Sequence, residues 1–327
     1  MKALQKILLL LVIIGITQHA YSQQGTPLYS QYTMNKFLIN PAVAGYQGIT
    51  DINLTAKEQW MGFENSPSTY SLSGQTRILR SNYLAKSLMI KRRISRRRPS
   101  GRVGLGGNIY SDRNGAISRN GLQFTYAYHI HVRNSQFSFG LTGAFYQFKV
   151  NKDKFDYIYQ ENDRLIDQKG VLYIPDADFG FLYSVYDFYA GVSAKNLMES
   201  VLKFGQSEYD DLTTERNYYF MSGYKYALNR QFDLEGGLLL RASENLRINS
   251  DITLKAYYLQ DYWAGISYRT KESVILLAGV AVKNLYFGYG FDYNLTDIQQ
   301  VSYGSHEIML GITFGDTQRR YRWLNRF

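Results

Sequence analysis

Apolar and polar residues alternate along most of this chain, in segments of about ten residues that are separated by turn residues. In residues 119–132, every second residue from Leu122 to Val132 is large and apolar, whereas the residues between them are small or polar. Successive side chains of a strand point to opposite faces, so each segment predicts a strand with one apolar and one polar face. We count fourteen segments, at residues 51–60, 69–78, 102–111, 119–132, 136–149, 176–185, 188–197, 216–228, 232–242, 248–258, 262–270, 273–282, 285–294 and 305–314.

The connections between these segments alternate in length. Tight turns are predicted at every second junction, at 133–135, 185–187, 229–231, 259–261 and 283–284. The other junctions include the long 150–175 and 198–215 loops, although 79–101 is long and 271–272 short against this rule. An even strand number with short turns on one side is typical of bacterial outer-membrane barrels. The pattern predicts an all-β fold, a transmembrane antiparallel β-barrel of about 14 strands over residues 51–314, in which the last strand pairs with the first.

Composition agrees with this fold, with 30 Tyr, 18 Phe and 28 Gly but only 5 Pro among 327 residues. Aromatic residues favour strands and are enriched at both bilayer interfaces, and few prolines leave hydrogen-bond ladders intact. A tyrosine-rich soluble all-β protein would have a similar composition. The strand number and the alternating connections therefore favour the membrane barrel over a soluble sandwich.

The amino-terminal residues have the pattern of a secretory signal peptide. Lys2 and Lys6 precede an apolar run at 7–16 that is too short to span a bilayer, and a small-x-small site ends at Ser22. No later run of 18 apolar residues occurs, and the chain has no cysteine, hence no lipobox and no disulfide. The predicted organisation is a cleaved signal peptide (1–22), an N-terminal periplasmic or plug segment (23–50), the barrel (51–314) and a basic periplasmic tail (315–327).

The net charge of +10 is concentrated in two places. Seven cations lie between Lys91 and Arg102, and four lie in the tail at 319–326; both stretches are predicted to face the periplasm. Such a cluster indicates either a solvated loop or docking on acidic partners or anionic lipid headgroups, whereas export argues against nucleic acid. The basic periplasmic cluster comprises Lys91, Arg92, Arg93, Arg96, Arg97 and Arg98.

Residues that carry catalysis or bind metals are sparse. After the signal peptide there are three histidines, of which His129 and His131 share a polar strand face and are interpreted as interior residues rather than metal ligands. Ser305, His306 and Glu307 are adjacent, and adjacent side chains of a strand cannot converge on one substrate. The sequence has no phosphate-binding, dinucleotide or calcium-loop motif. We therefore expect no enzyme activity, no cofactor and no metal.

The stretch "PLYSQYTMNKFLINPAVAGYQG" at 27–48 is the most specific motif in the chain. It resembles the N-terminus of the PorP/SprF family of type IX secretion system outer-membrane proteins, and Lys57-x-Gln-Trp, "YWAGISYR", "FGYGFDYN" and "GSHEIMLGITF" resemble later family motifs. The basic insert and the tail after Phe314 depart from the family pattern. The family-motif residues are Gln31, Tyr32, Asn35, Asn40, Pro41, Ala42, Gly45, Gln59, Trp60, Gly304, Ser305, His306 and Glu307.

The resemblance implies a monomeric outer-membrane barrel of the secretion and gliding machinery. It implies that the barrel helps to secrete or anchor large cargo proteins, notably cell-surface adhesins, through their C-terminal sorting domain. The implied partners are this cargo, other type IX secretion or gliding components and outer-membrane lipid. The alternative is a substrate-specific outer-membrane diffusion channel. Because binding residues concentrate in loops, the candidate partner-binding residues are Tyr157, Tyr159, Tyr173 and Tyr209.

Overall fold

The computed structural model describes residues 27–63, 65–78, 102–150, 171–198, 216–244 and 248–314. Within these residues, fourteen strands form one closed antiparallel barrel in which each strand pairs with its neighbours in sequence. This confirms the predicted fold class. The strands are β1 (Thr50–Glu58), β2 (Ser68–Ile78), β3 (Val103–Asn114), β4 (Ile117–Val132), β5 (Ser135–Val150), β6 (Val171–Val185), β7 (Phe188–Lys195), β8 (Asn217–Ala227), β9 (Phe232–Ser243), β10 (Ile248–Tyr258), β11 (Tyr262–Arg269), β12 (Ser273–Val282), β13 (Leu285–Asn294) and β14 (Ser305–Phe314).

The barrel closes between its first and last strands. β1 and β14 run antiparallel in continuous register from Thr50 opposite Phe314 to Glu58 opposite His306. Closure pairs the backbone groups that an open sheet would leave exposed at its edges, which hydrocarbon does not tolerate. We call this junction the seam.

Most strands have an exposed apolar face and a buried polar face, as their sequence pattern predicts, whereas β12 also buries the apolar residues Ile275 and Leu277 on its inner face. On the outer face Phe124, Leu141 and Leu276 are between 52% and 66% exposed. On the inner face Thr125, Thr142 and Asp251 are at most 4% exposed. An apolar outer face and a polar interior match the requirements of a barrel surrounded by lipid.

The strand ends define two ends of the barrel. The turn end carries the short connections 133–134, 186–187, 228–231, 259–261 and 283–284, and β1 starts and β14 finishes there. Several turn residues, such as Arg133 and Tyr186, have the positive φ that tight hairpins need. The opposite loop end carries the connections 59–67, 115–116, 270–272 and 295–304.

Two connections at the loop end differ from the sequence interpretation. β3 and β4 extend to a two-residue turn at Gly115, whose φ of +59° suits a tight hairpin, so this connection is short. β6 begins at Val171 rather than near 176, and Pro175 lies within it although proline is uncommon in strands. Tyr173 is therefore a strand residue and not a loop residue. Its ring is 59% exposed on the outer face and stacks on Phe145, with 5.9 Å between ring centroids.

Other predicted features lie outside the described residues. These are the signal peptide (1–22), the basic cluster from Lys91 to Arg98, the loop residues Tyr157, Tyr159 and Tyr209, and the tail (315–327). Among the described residues, no helix is long and apolar enough to cross a bilayer.

Candidate functional site in the barrel lumen

Residues 27–48 lie inside the barrel as a succession of turns, and we call them the lumen segment. Two short 3₁₀ helices, Lys36–Leu38 and Pro41–Val43, are linked by further turns in which, for example, Met34 N donates to Gln31 O (2.9 Å). Between Tyr29 and Gly45 every residue is buried except Met34 and Lys36, which are half-buried. The inner wall supplies hydrogen bonds to many polar groups of this buried segment, whereas Gln31 Oε1, Thr33 Oγ1 and Asn35 Oδ1 have no such partner among the described residues.

At the loop end, the segment is held by a carboxylate that accepts two consecutive backbone N–H groups. Glu307 Oε2 accepts from Ser30 N (2.6 Å), and Oε1 accepts from Gln31 N (3.0 Å). The Ser30 hydroxyl donates to Asp292 Oδ2 (2.7 Å). Lys57 Nζ donates to Leu28 O (2.9 Å) and to Ser30 Oγ (2.6 Å). We call Lys57, Asp292 and Glu307 together the loop-end latch.

The latch belongs to a larger network of buried charges. Lys57 Nζ lies 3.0 Å from Asp292 Oδ2 and 3.8 Å from Glu307 Oε2. Arg269 lies 3.6 Å from Asp292 and makes a paired hydrogen bond with Asp251, which also binds Arg241 (2.9 Å). All three latch side chains are at most 4% exposed. Since an unpaired charge is very costly at such burial, these residues depend on one another.

Halfway along, the segment makes polar contacts with three parts of the wall. The hydroxyl groups of Tyr32 and Thr253 share a hydrogen bond (3.1 Å), and Asn35 Nδ2 donates to Ser73 Oγ (2.8 Å). Lys36 Nζ lies 3.6 Å from Glu235, a carboxylate on β9. These contacts connect the segment to β10, β2 and β9.

Asn40 joins the segment to the backbone of two neighbouring strands. Its Nδ2 donates to the carbonyl oxygens of Phe181 on β6 (3.0 Å) and Val192 on β7 (3.1 Å). Its Oδ1 accepts from Ala42 N (2.9 Å) and so caps the Pro41–Val43 helix. The side chain is completely buried, and all its hydrogen-bonding groups are used.

Glycines on the inner wall give the segment the space it occupies. A Cβ atom at Gly104 would overlap the carbonyl of Ala44, and one at Gly140 would overlap the backbone of Pro41 and Ala42. The absence of side chains at these positions lets the segment backbone approach the strands closely. The glycines that contact residues 37–44 in this way are Gly104, Gly106, Gly140, Gly180 and Gly191.

At the turn end, the segment is bound by β4, β5 and β2. His129 Nε2 donates to Ala44 O (3.0 Å), while Nδ1 hydrogen bonds with Ser138 Oγ (2.8 Å). Gly45 N donates to Gln75 Oε1 (3.1 Å), and Gln136 Nε2 donates to Tyr46 O (3.3 Å). His129 thus orients the segment as an interior histidine. No group of three or more His, Cys, Asp or Glu in the described ranges is placed to hold a metal ion.

Among the adjacent residues Ser305, His306 and Glu307, the side chain of His306 points to the face opposite that of its two neighbours, as strand geometry predicts. Glu307 faces the lumen, whereas the ring nitrogen Nδ1 of His306 bonds Tyr289 Oη (2.7 Å) beside Phe291. Ser305 Oγ accepts from Trp60 N (3.1 Å). The three side chains do not form a catalytic set.

Above the seam, two loops pair through their backbones. Met61 N donates to Gly304 O (2.8 Å), and Tyr303 N donates to Met61 O (2.7 Å). Trp60, Gly62 and Gly304 have φ values of +52°, +95° and +89°, a conformation that costs energy in a bulky residue such as Trp60. We call residues 60–63 and 301–304 the seam knob. Its exposed fractions are 80% for Tyr303, 58% for Val301, 47% for Phe63 and 43% for Met61.

The structure brings together most of the residues that the sequence resemblance singled out. Gln31 and Glu307 are in direct contact, and Lys57 completes the latch. Trp60 and Gly304 belong to the seam knob, and Ser305 on β14 accepts a hydrogen bond from Trp60 N. Sequence reasoning missed the latch and the knob as units. The available signals were charged residues on the polar strand faces near the loop end, and glycines at 62 and 304. Seven of the motif residues belong to the lumen segment itself: Gln31, Tyr32, Asn35, Asn40, Pro41, Ala42 and Gly45.

The substitution Asn40→Asp is expected to loosen the lumen segment. It replaces a donor with a carboxylate that faces two carbonyl oxygens, and a charged group without a partner in a buried site costs about 2 kcal/mol or more. We expect the free energy of unfolding to fall by this amount, and protease cleavage within residues 27–48 of the folded barrel to accelerate. The control is Asn284→Asp in an exposed turn, for which we expect a change within about 0.5 kcal/mol. Equal effects of the two substitutions would contradict the role given to Asn40.

Comparison with known proteins identifies the family. The family described as type IX secretion system membrane protein PorP/SprF matches residues 21–312. The Ralstonia pickettii toluene transporter TbuX is similar in structure, with a TM-score of 0.49, 10% identity, and coverage of 85% of this chain and 92% of the transporter. The Acinetobacter baumannii outer membrane protein Omp33 is also similar, with a TM-score of 0.43, 5% identity, and coverage of 81% of this chain and 97% of Omp33. No curated protein sequence matches the chain significantly. Because the family match covers most of its length, the chain belongs to the PorP/SprF family of type IX secretion system membrane proteins.

Proposed function

We propose that this barrel is a non-enzymatic outer-membrane component of type IX secretion that helps to secrete or anchor large cargo proteins, such as adhesins. The cargo is held through its C-terminal sorting domain at the cell surface. One observation supports the proposal beyond family membership: the chain's own residues cross the lumen from Glu307 at the loop end to His129 at the turn end and are bound at both ends. The surfaces that remain for partners are then the two ends of the barrel.

The lumen segment acts in this proposal as a plug. Contacts with strands on opposite sides of the wall, from Glu307 on β14 to Phe181 on β6, support it. A substrate-specific diffusion channel is the alternative function, and it requires a continuous path through the lumen. Ion conductance separates the two functions, because an anchor needs no open pore.

The seam knob is the candidate docking surface for cargo. The short turns of outer-membrane barrels face the periplasm, so the loop end with the knob faces the outside. Exposed aromatic residues on a rigid backbone are the kind of anchor that dominates binding energy in protein interfaces. Tyr303 and Phe63 are exposed on such a backbone. The loop residues Tyr157, Tyr159 and Tyr209 remain candidates from sequence.

Affinity purification of the tagged protein from native outer membranes tests this function. We expect the wild type to recover a large secreted protein through its C-terminal domain. The double variant Phe63→Ala, Tyr303→Ala is expected to reduce this recovery by about tenfold or more, since loss of one hot-spot residue costs about 2 kcal/mol or more. The control is Tyr186→Ala, which removes an exposed tyrosine (66%) at the turn end.

The outcomes separate the function from the docking surface. Recovery of lipid alone by the wild type would contradict cargo anchoring. Undiminished recovery by the knob variant would leave the anchoring function in place and remove the seam knob as its surface. Membership of the family implies association with other secretion components. The basic cluster at 91–98 remains predicted as either a solvated loop or a docking site for acidic partners or anionic lipid headgroups.

A further inference from the structure

The lumen segment has a direction, because its two ends are bound at opposite ends of the barrel. Its Ala44–Tyr46 end contacts His129 and Gln136 near the turn end, where β1 begins at Thr50. Its Leu28–Gln31 end contacts Lys57, which lies seven residues further along β1. At a rise of about 3.3 Å per residue, this corresponds to about 23 Å of strand. The chain therefore runs through the lumen from the loop end to the turn end, and β1 then runs back along the wall to the loop end.

The latch residues fix the starting level of this path. Lys57 is one residue from the loop-end limit of β1, and Asp292 and Glu307 are each two residues from the loop-end limits of β13 and β14. Glu307 binds the backbone N–H groups of Ser30 and Gln31. This contact therefore fixes the position of the main chain itself, and not only that of a long side chain. Tyr32 and Asn35, which follow, bind strand positions further from the loop end.

We infer that the lumen segment delivers the amino-terminal end of the mature chain to the cell surface, at the mouth of the barrel beside the seam knob. The chain is connected to β1 at the periplasmic end, and a simple linker there would leave its N-terminus in the periplasm. The path of residues 27–46 instead brings Pro27 to the opposite mouth. The N-terminus then lies exposed beside the seam knob, on the side of the barrel where partner proteins would dock.

Thiol labelling tests this topology cleanly, because the chain has no cysteine and each introduced thiol is unique. Cells that express Pro27→Cys are treated with a maleimide that does not cross the outer membrane, before and after permeabilisation. Asn114→Cys, at the exposed loop-end limit of β3, is the control for the outside. Asn134→Cys, in an exposed turn, is the control for the periplasm. In a second experiment, a short epitope inserted before Pro27 is detected with antibody on intact cells.

We expect Pro27→Cys to react on intact cells as Asn114→Cys does, and Asn134→Cys to react only after permeabilisation. The inserted epitope should be detected on intact cells. If Pro27→Cys and the epitope become accessible only after permeabilisation, the inference is wrong. If Pro27→Cys reacts under neither condition, the epitope result alone decides. Reversed behaviour of the two controls would show that the barrel has the opposite orientation, which also overturns the inference. Cargo recovery is a separate measurement, so neither result determines the other.

Discussion

Replacing Gly140 with leucine is expected to convert a closed barrel into one that conducts ions. Gly140 faces the lumen on β5, and any side chain there would overlap the backbone of Pro41 and Ala42. Because the strand is fixed in the sheet and overpacking costs about 1–3 kcal/mol, the lumen segment should be displaced rather than the wall. In planar bilayers we expect wild-type protein to leave the current at baseline and Gly140→Leu to produce resolvable single-channel steps.

The same strand supplies the matched control. Gly143 lies three residues further along β5 on the outer face, and a Cβ atom there would meet nothing within 4 Å. Gly143→Leu adds the same side chain in contact with lipid, and we expect it to leave the current at baseline. Gly180→Leu, which would displace Asn40 from β6, provides a second lumen variant if Gly140→Leu does not insert. Conductance by the wild type would favour the diffusion channel and contradict the plug.

The second large effect is expected for Lys57→Met. This substitution removes the only latch cation and leaves Asp292 and Glu307 close together in a buried site, among the residues that the structure describes. Removal of one partner from a buried ion pair typically costs about 3–5 kcal/mol. We expect a loss of this size in the free energy of unfolding, measured by urea titration in lipid vesicles, together with release of the Leu28–Gln31 end.

Lys149→Met is the corresponding control. Lys149 is also one residue from the loop-end limit of its strand, but its side chain is exposed. Exposed substitutions of this kind change stability by no more than about 0.5 kcal/mol. A small effect of Lys57→Met, similar to that of Lys149→Met, would mean that the latch is not a buried ion cluster.

The strands could be predicted from sequence because the alternation of apolar and polar residues that indicates a strand lies within the strand itself. In β4 and β14 the alternation of apolar and polar residues is uninterrupted, and the predicted limits differ from the observed ones by at most two residues. The start of β6 near residue 176 is predicted too late, since the strand continues back past Pro175, which pairs with Phe145 on β5. Tyr173, predicted in the loop, pairs with Gln147 and is part of this strand.

The path of the lumen segment could not be predicted in this way. Residues 27–48 have no strand or helix periodicity, and their conformation depends on partners such as Glu307, which is 277 residues away from Ser30. Some signals were nevertheless present. Gly140 and Gly180 lie on inner strand faces where a larger residue would normally fill the interior. Lys57, Asp292 and Glu307 are charged residues on inner strand faces, where burial requires that charges be paired.

The position of the latch across the seam links binding of the lumen segment to closure of the barrel. Ser30 bonds Lys57 on β1 and Asp292 on β13, and its backbone bonds Glu307 on β14. The amino-terminal residues of the chain thus fasten the last strands to the first strand from the inside. Opening of the seam would separate Lys57 from Asp292 and Glu307, and Ser30 would lose its contacts with either the first or the last strands. Binding of residues 28–31 in the lumen and closure of the barrel by its last strands are therefore expected to depend on each other.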